Sequence, residues 1–150
     1  MVSSDKERIL SNIRELKIGK EELLKYLQSG DKDIKHEAWI AAEKLISHGR
    51  LDVESLLCFP DHGTRYRVWN LIPGLTQVNR EAVLHNIPCL LELLKDEDLN
   101  VRRLTWYVTL PKLLDYVNLE DVRRLTAFCK EVAVGEWKDL LDETCREILG

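Results

Sequence analysis

The sequence predicts an all-α protein built from helix pairs, and three observations carry this prediction. Hydrophobic residues make up 45% and charged residues 32% of the 150 residues, which is typical of a globular domain with a buried core. The 7 Gly and 4 Pro are few for a β-sandwich or β-barrel, and no convincing segment alternates apolar and polar residues like a strand. A pattern with helical spacing also recurs along the chain.

The recurring pattern is Asp-x-x-x-(Lys/Arg)-x-x-x-Trp, which occurs three times and is preceded each time, four residues before the Asp, by a leucine. Its members are Asp31, Lys35 and Trp39; Asp61, Arg65 and Trp69; and Asp98, Arg102 and Trp106. Steps of four residues keep side chains on one face of a helix, so the three positions form a stripe. The Asp comes where a helix begins and can accept backbone N–H groups there.

Start and stop signals place the helices in order. After an N-terminal helix that ends before Gly19, helices are predicted over residues 20–29, 33–48, 52–59, 64–77, 79–94, 99–117, 119–133 and 136–149. Pro73, Pro88 and Pro111 lie inside predicted helices and should kink or split them. Pro88 is expected to divide the segment 79–94 into two pieces.

These helices group into one repeat domain over residues 1–150. The N-terminal helix occupies residues 1–19, the three repeats occupy residues 20–49, 50–78 and 79–117, and a diverged pair of capping helices occupies residues 118–150. In that last segment, residues 122–126 repeat the string Val-Arg-Arg-Leu-Thr of residues 101–105, but Ala127 stands where the repeat has Trp. The change of character favours a closing helix pair.

Residues 93–102, Leu-Leu-Lys-Asp-Glu-Asp-Leu-Asn-Val-Arg, resemble the core of a HEAT repeat, in which a turn carrying Asp leads into a second helix that opens with Val-Arg. The segments that begin at Asp31 and Asp61 fit the same template less closely. The resemblance implies a short right-handed α-α superhelix, a HEAT/armadillo-like solenoid of about eight or nine helices. It also implies that Asp61, Arg65, Asp98 and Arg102 form hydrogen bonds within and between repeats.

The tryptophan series has two interpretations. Aromatic platforms can stack on bases or sugars, which would make these residues a ligand site. The stripe, however, also carries an apolar residue seven positions after two of the tryptophans, Ile46 and Leu113. That spacing is typical of a seam between helices, so we favour tryptophans that pack in the core.

The motifs predict no catalytic, cofactor or metal site. His36-Glu37 resembles the His-Glu pairs with which the HEAT-like deoxyhypusine hydroxylases build a di-iron centre, but the chain has one such pair and a metal needs more ligands. The corresponding residues of the other copies are Tyr66-Arg67 and Arg103-Leu104. We therefore expect His36 on the surface. His85 with Cys89 and Cys58 with His62 have the spacing of helical metal ligands but lack a second pair.

The N-terminus and the cysteines indicate a cytoplasmic protein. The first residues are charged and lack the apolar stretch of a signal peptide, and no apolar run is long enough to span a bilayer. The 4 cysteines lie far apart and form no C-x-x-C pair. Each sits among apolar residues at helical spacing, which predicts buried, reduced thiols.

One face of the repeats carries polar and aromatic residues. It is predicted from the positions next to the stripe on the second helices, which line the concave side in HEAT-like solenoids. The candidate partner-binding residues are Tyr66, Arg67, Asn70, Arg103 and Tyr107. A solvated face on which arginine side chains lie along apolar surface explains the same pattern equally well.

Three functions remain open. The first is a non-catalytic scaffold that binds a partner protein or peptide on its concave face. The alternative is a nucleic-acid-binding or DNA-repair protein similar to the HEAT-like DNA glycosylases, which the net charge of -4 disfavours. The third is a subunit of a homo-oligomer, formed through the apolar C-terminal segment 137–149.

Overall fold

The computed structural model describes residues 2–149, with side chains from residue 5 to residue 148. The chain folds as two compact units, residues 1–52 and residues 53–150. Every regular element of the described residues is helical. The α-helices are α1 (Val2–Arg14), α2 (Lys20–Tyr26), α3 (Lys32–Ser47), α4 (His62–Leu71), α5 (Arg80–His85), α6 (Ile87–Leu93), α7 (Leu99–Leu104), α8 (Leu119–Arg123), α9 (Thr126–Val132) and α10 (Lys138–Leu149).

The all-α prediction is thus confirmed for the described residues, while the right-handed superhelix stays a prediction. The described residues form ten α-helices, slightly more than the eight or nine predicted. None of these helices combines the length and the apolar content that crossing a membrane requires.

In the first unit, α1 and α2 both pack against α3. The fully buried side chains between them include Ile13, Leu27 and Ala38. The helix α3 begins at Lys32, one residue before the predicted start, and is capped by Asp31 as expected: the Asp31 carboxylate accepts the backbone N–H groups of Asp33 at 2.9 Å and Ile34 at 3.2 Å. This N-cap satisfies donors that the first turn of a helix leaves without an internal partner.

The helix α3 ends in a turn that requires Gly49. The backbone N–H of Arg50 donates to the carbonyl of Leu45 at 2.8 Å, and that of Gly49 donates to Ile46 at 3.1 Å. This is the Schellman arrangement, in which the residue after the helix takes a left-handed conformation. Gly49 has φ = +71° and adopts it at little cost because it has no Cβ.

In the second unit, one core cluster lies between the end of α6 and the helices that follow it. Its fully buried side chains include Leu94, Trp106, Leu110 and Leu141. The helix α10 packs against both α8 and α9, and α9 also packs against α7. Asp61 and Asp98 cap α4 and α7 as Asp31 caps α3, so the predicted cap by Asp is confirmed in all three copies of the pattern.

Pro88 splits a predicted helix as expected, and Pro111 lies in a 3₁₀ turn where a continuous α-helix was predicted. α5 ends at His85 and α6 begins at Ile87, which confirms the expected division of the segment 79–94. The segment predicted over 99–117 is not one helix: after α7 it continues as the π-helical segment Thr105–Thr109 and two 3₁₀ turns, Leu110–Lys112 and Leu114–Tyr116. Because Pro111 has no N–H, it cannot donate to the carbonyl of Tyr107.

Three further predicted helices differ from the structure. The helix predicted over 64–77 is α4, which ends at Leu71 and is followed by the 3₁₀ turn Ile72–Gly74 at Pro73. Residues 52–59 contain a single 3₁₀ turn, Val53–Leu56, because side chains of α4 bind the backbone carbonyls of Leu57 and Phe59 that follow it. The segment 119–133 is broken between α8 and α9. There the Thr126 hydroxyl donates to the carbonyl of Arg123 at 2.6 Å and competes with the helical hydrogen bonds.

The prediction of reduced cysteines is wrong. The structure joins Cys58 to Cys89 and Cys129 to Cys145, and no cysteine remains free. The paired residues are 31 and 16 positions apart, so local spacing could not reveal the pairing. By the chain-entropy argument, loops of these lengths correspond to a stabilisation of about 3–4 kcal/mol each.

Replacement of Gly49 by alanine should lower the free energy of unfolding by about 1 kcal/mol, because a Cβ disfavours its positive φ. Gly30→Ala is the matched control, since Gly30 has open space around its Cα and no positive φ. Urea unfolding of both variants measures the difference. Equal stabilities of the two variants would contradict the assigned turn.

Candidate partner-binding site

Two stripe residues of the second copy donate side-chain hydrogen bonds to backbone carbonyls of the turn before α4. The Trp69 indole Nε1 donates to the carbonyl of Leu57 at 2.8 Å, and Arg65 Nε donates to the carbonyl of Phe59 at 2.9 Å. Arg65 Nη1 then forms an ion pair at 2.9 Å with Glu92 on α6. Trp69 is fully buried and Arg65 is 6% exposed, so both act inside the fold.

The third copy makes the same contacts at equivalent positions. Trp106 Nε1 donates to the carbonyl of Leu94 at 2.6 Å, and Arg102 Nε donates to the carbonyl of Asp96 at 2.8 Å. Arg102 Nη1 forms an ion pair at 2.9 Å with Glu131 on α9. The donor and acceptor are 12 residues apart for each indole and 6 apart for each guanidinium. Because Trp69 and Trp106 are both 0% exposed, neither indole offers a face for stacking a ligand.

The first copy lies in the other unit and carries a charge cluster at its cap. Lys6 Nζ on α1 lies 3.0 Å from Asp31 Oδ2 and 2.9 Å from Asp33 Oδ2. The hydrogen bond from Lys6, followed by that from the backbone N–H of Ile34, lowers the pKa of Asp31. The carboxylates of Asp33 and Asp31 in turn raise the pKa of Lys6. In the same copy Trp39 is buried and Lys35 is half-buried.

The candidate residues of α4 border the π-helical segment. Tyr66 and Asn70 are half-buried one helical turn apart, and Arg67 is exposed beside them. Asn70 Oδ1 accepts a hydrogen bond at 3.2 Å from the hydroxyl of Thr109, which lies at the end of the π-helical segment. The helix α4 also packs against α7. This polar contact therefore ties α4 to the π-helical segment.

Arg103 and Tyr107 meet on a third residue, Trp137, which the sequence pattern did not indicate. The Arg103 guanidinium carbon lies 5.5 Å from the centre of the Trp137 ring, a cation–π contact. The Tyr107 ring meets the same indole edge-on, with ring centres 5.9 Å apart and planes at 81°. Trp137 lies outside the repeated pattern, 30 residues beyond Tyr107 in the printed sequence, so only its residue type could have drawn attention to it.

No carboxylate is among the described contacts of the Arg103 guanidinium. Besides the indole of Trp137, its guanidinium donates from Nη2 to the side-chain oxygen of Asn100, which is a neutral acceptor. Its Nε is a buried side-chain atom without a hydrogen-bond partner. Arg65 and Arg102, by contrast, are each neutralised by a glutamate. Arg103 therefore brings a net positive charge to the face.

The π-helical segment presents Tyr107. The backbone N–H of Leu110 donates to the carbonyl of Thr105, five residues earlier, which widens the helix locally. Tyr107 lies at the middle of this segment and is 37% exposed, although its neighbours Trp106 and Thr109 are fully buried. Short π-helical segments inside α-helices are frequent at functional sites.

A histidine–carboxylate pair joins the start of α4 to the turn before α7. His62 Nδ1 at the start of α4 is 2.5 Å from Asp96 Oδ1, and the Asp96 side chain is 5% exposed whereas that of His62 is 48% exposed. The two residues are 34 positions apart, which hid the pair from the sequence pattern. The hydroxyl of the nearby Thr64 donates to Asp61 instead, so it is not placed as a nucleophile for His62.

The sequence motifs considered as metal ligands do not come together. Among the described side chains, no three His, Cys, Asp or Glu residues lie close enough to hold a metal ion. His36 is exposed on α3, as expected. Cys58 and Cys89, each half of a candidate ligand pair, are joined in a disulfide.

Comparison with known proteins adds no assignment to this geometry. No protein family matches the chain, and neither the curated proteins nor the solved structures show a significant similarity to it.

The cap of α3 should show a characteristic pH dependence. Because the pKa of Asp31 is lowered in the folded protein, its ionised form stabilises the fold above its unfolded pKa of about 3.9, and this contribution is lost as the pH falls through the lower folded value. Asp31→Asn keeps the cap but removes the charge. The difference in unfolding free energy between the native protein and Asp31→Asn should therefore shrink below about pH 4.

Urea unfolding between pH 2 and pH 7 measures this difference. Asp5→Asn is the control, since exposed Asp5 lies 3.7 Å from Arg8 in a weak surface pair and should matter little at any pH. A difference between native and Asp31→Asn protein that stays constant over the whole pH range would show that the Lys6 contact does not stabilise the fold.

Proposed function

We propose that the protein is a non-catalytic interaction module of HEAT-like helix pairs that binds an acidic segment of a partner protein. The binding surface, here called the partner face, consists of Tyr66, Arg67, Asn70, Arg103, Tyr107 and Trp137. The observation that carries the proposal is the exposed Tyr107, fixed against Trp137 while Arg103 stacks on the same indole. Tyr, Trp and Arg are the residues that most often dominate the energy of protein interfaces.

The rigidity of this cluster supports binding. An aromatic side chain that is already fixed loses little conformational entropy when a partner covers it. Tyr107 is held from one side by Trp137, and the helix that carries it is tied to α4 by the hydrogen bond between Thr109 and Asn70. The side chains of the partner face are thus preorganised for binding.

The charge of Arg103 supports an acidic partner. Its described contacts are a neutral amide and an aromatic ring, so its guanidinium keeps N–H groups and a positive charge for a further acceptor. A carboxylate forms strong, charge-assisted hydrogen bonds with such a group. A partner segment with an acidic side chain next to an apolar one would match both Arg103 and Tyr107.

Nucleic acid is the second candidate, and the same cluster is the observation that favours it. An arginine beside exposed aromatic rings can hold a phosphate and stack a base. The net charge of -4 opposes a ligand with a phosphate at every nucleotide more than it opposes a segment with one acidic side chain, and the indoles of Trp69 and Trp106 are fully buried. A protein partner therefore agrees better with the charges and the burial.

The test begins with selection of a random peptide library displayed on phage against the full chain. Enriched peptides should carry acidic residues, and Arg103→Gln with Tyr107→Ala should weaken their binding at least about tenfold, since loss of two central contacts costs more than about 1.4 kcal/mol. Isothermal titration calorimetry measures the affinities. Far-UV circular dichroism should remain unchanged, because neither residue belongs to the buried core.

Arg124→Gln is the matched control. Arg124 is an exposed arginine on the second unit, 3.7 Å from Asp121, and its replacement should leave the affinity unchanged. Enrichment of no peptide, or equal losses in both variants, would refute the partner face. Binding of duplex DNA that weakens steeply with salt would replace the proposal by the nucleic-acid function.

A further inference from the structure

The two disulfides differ in their access to solvent. Cys58 is exposed and Cys89 is half-buried, whereas Cys129 is 0% and Cys145 2% exposed. A disulfide is opened when a thiolate attacks one of its sulfurs along a free approach. Only the Cys58–Cys89 bond presents an exposed cysteine to such an attack.

The backbone around Cys58 is held without the disulfide. On one side of Cys58 the carbonyl of Leu57 accepts from Trp69, and on the other side the carbonyl of Phe59 accepts from Arg65. Arg65 also binds Glu92, which lies on α6 three residues after Cys89. The same guanidinium thus positions both ends of the disulfide, and the two sulfurs would stay close after the bond opens.

The third copy of the pattern supports this independence. There Lys95 occupies the position of Cys58, three residues before the capping Asp, and Phe128 occupies the position of Cys89, three residues before the glutamate. The hydrogen bonds of Trp106 and Arg102 and the ion pair to Glu131 form there all the same. In the third copy the Arg102 guanidinium carbon lies 5.5 Å from the centre of the Phe128 ring, so this frame of hydrogen bonds and ion pair forms there without a covalent bond between the two positions.

We propose that Cys58–Cys89 is a reversible thiol–disulfide exchange site for a dithiol, while Cys129–Cys145 stays closed. The site is independent of the partner face. A thiolate of the dithiol attacks Cys58 Sγ and forms a mixed disulfide; the Cys58–Cys89 bond breaks, and its electron pair leaves on Cys89 Sγ, which takes up a proton. The second thiolate of the dithiol then attacks the other dithiol sulfur, which is bonded to Cys58; the mixed disulfide breaks, and its electron pair leaves on Cys58 Sγ, which takes up a proton. The dithiol is oxidised and the protein disulfide is reduced by the same two electrons.

Asn86 is placed to receive the reduced Cys58. Its side-chain oxygen lies 3.2 Å from Cys58 Sγ, within reach of a thiol S–H donor. Asn86 is itself fixed at the junction of α5 and α6, because its Nδ2 donates to the carbonyl of Ala82 at 2.7 Å. The released thiol therefore has an acceptor in place next to its former partner.

The experiment treats the native full chain with dithiothreitol for increasing times and blocks free thiols with iodoacetamide. Peptide mass spectrometry then gives the labelled fraction of each cysteine. Cys58 and Cys89 should become labelled at least about tenfold faster than Cys129 and Cys145, because exposure controls attack. Unfolded protein is the control, in which all four cysteines should be labelled at similar rates. Equal rates in the native protein, or faster opening of Cys129–Cys145, would overturn the proposal.

Two further measurements test the site of attack and whether opening of the disulfide leaves the fold intact. With excess glutathione, the trapped mixed disulfide should be on Cys58, and an adduct on Cys89 would contradict the direction of attack. The double variant Cys58→Ser/Cys89→Ser should keep the circular dichroism and the tryptophan fluorescence of the native chain. Loss of either signal would show that the frame depends on the disulfide and that opening is not a local event.

Discussion

A backbone carbonyl that is buried away from water needs a hydrogen-bond donor, and the turns before α4 and α7 each contain two such carbonyls. An indole and a guanidinium supply the donors in both turns: Trp69 and Arg65 in the first, Trp106 and Arg102 in the second. The rest of the second unit depends on these bonds. They fix each turn to the helix that follows it, and the remaining N–H groups of each arginine reach a glutamate of another helix, on α6 or α9.

This arrangement explains why the stripe residues of the second and third copies act inside the fold, while the proposed partner face lies next to them. The indoles and guanidinium groups of the stripe donate hydrogen bonds within the chain, so binding or exchange reactions are proposed for other residues near them. Arg103 and Tyr107 lie next to the stripe of the third copy, and the exposed Cys58 lies between the two residues whose carbonyls the second copy binds. The same frame therefore supports a proposed partner face in one place and a proposed exchange site in another without any change in its internal contacts.

Local features were predictable from the sequence and distant pairings were not. The caps at Asp31, Asp61 and Asp98 and the break at Pro88 depend only on residues a few positions away, so spacing and residue type were sufficient. The pairing of Cys58 with Cys89 and of His62 with Asp96 joins residues 31 and 34 positions apart, and it follows from how the helices pack. For the same reason the candidate site was predicted in part: Arg103 and Tyr107 share a helix face, whereas the ring that joins them belongs to Trp137, beyond the repeat.

The most direct test of this account is the free energy of unfolding of three tryptophan-to-phenylalanine variants. Trp69→Phe and Trp106→Phe should each lose about 2–4 kcal/mol, because both leave a buried carbonyl without its donor and remove ring volume from the core. Trp137→Phe should lose less than about 1 kcal/mol, since this half-buried ring pairs no carbonyl of the turns. Denaturant unfolding gives all three values. Losses at Trp69 and Trp106 no larger than that at Trp137 would contradict the central role of the paired turn carbonyls.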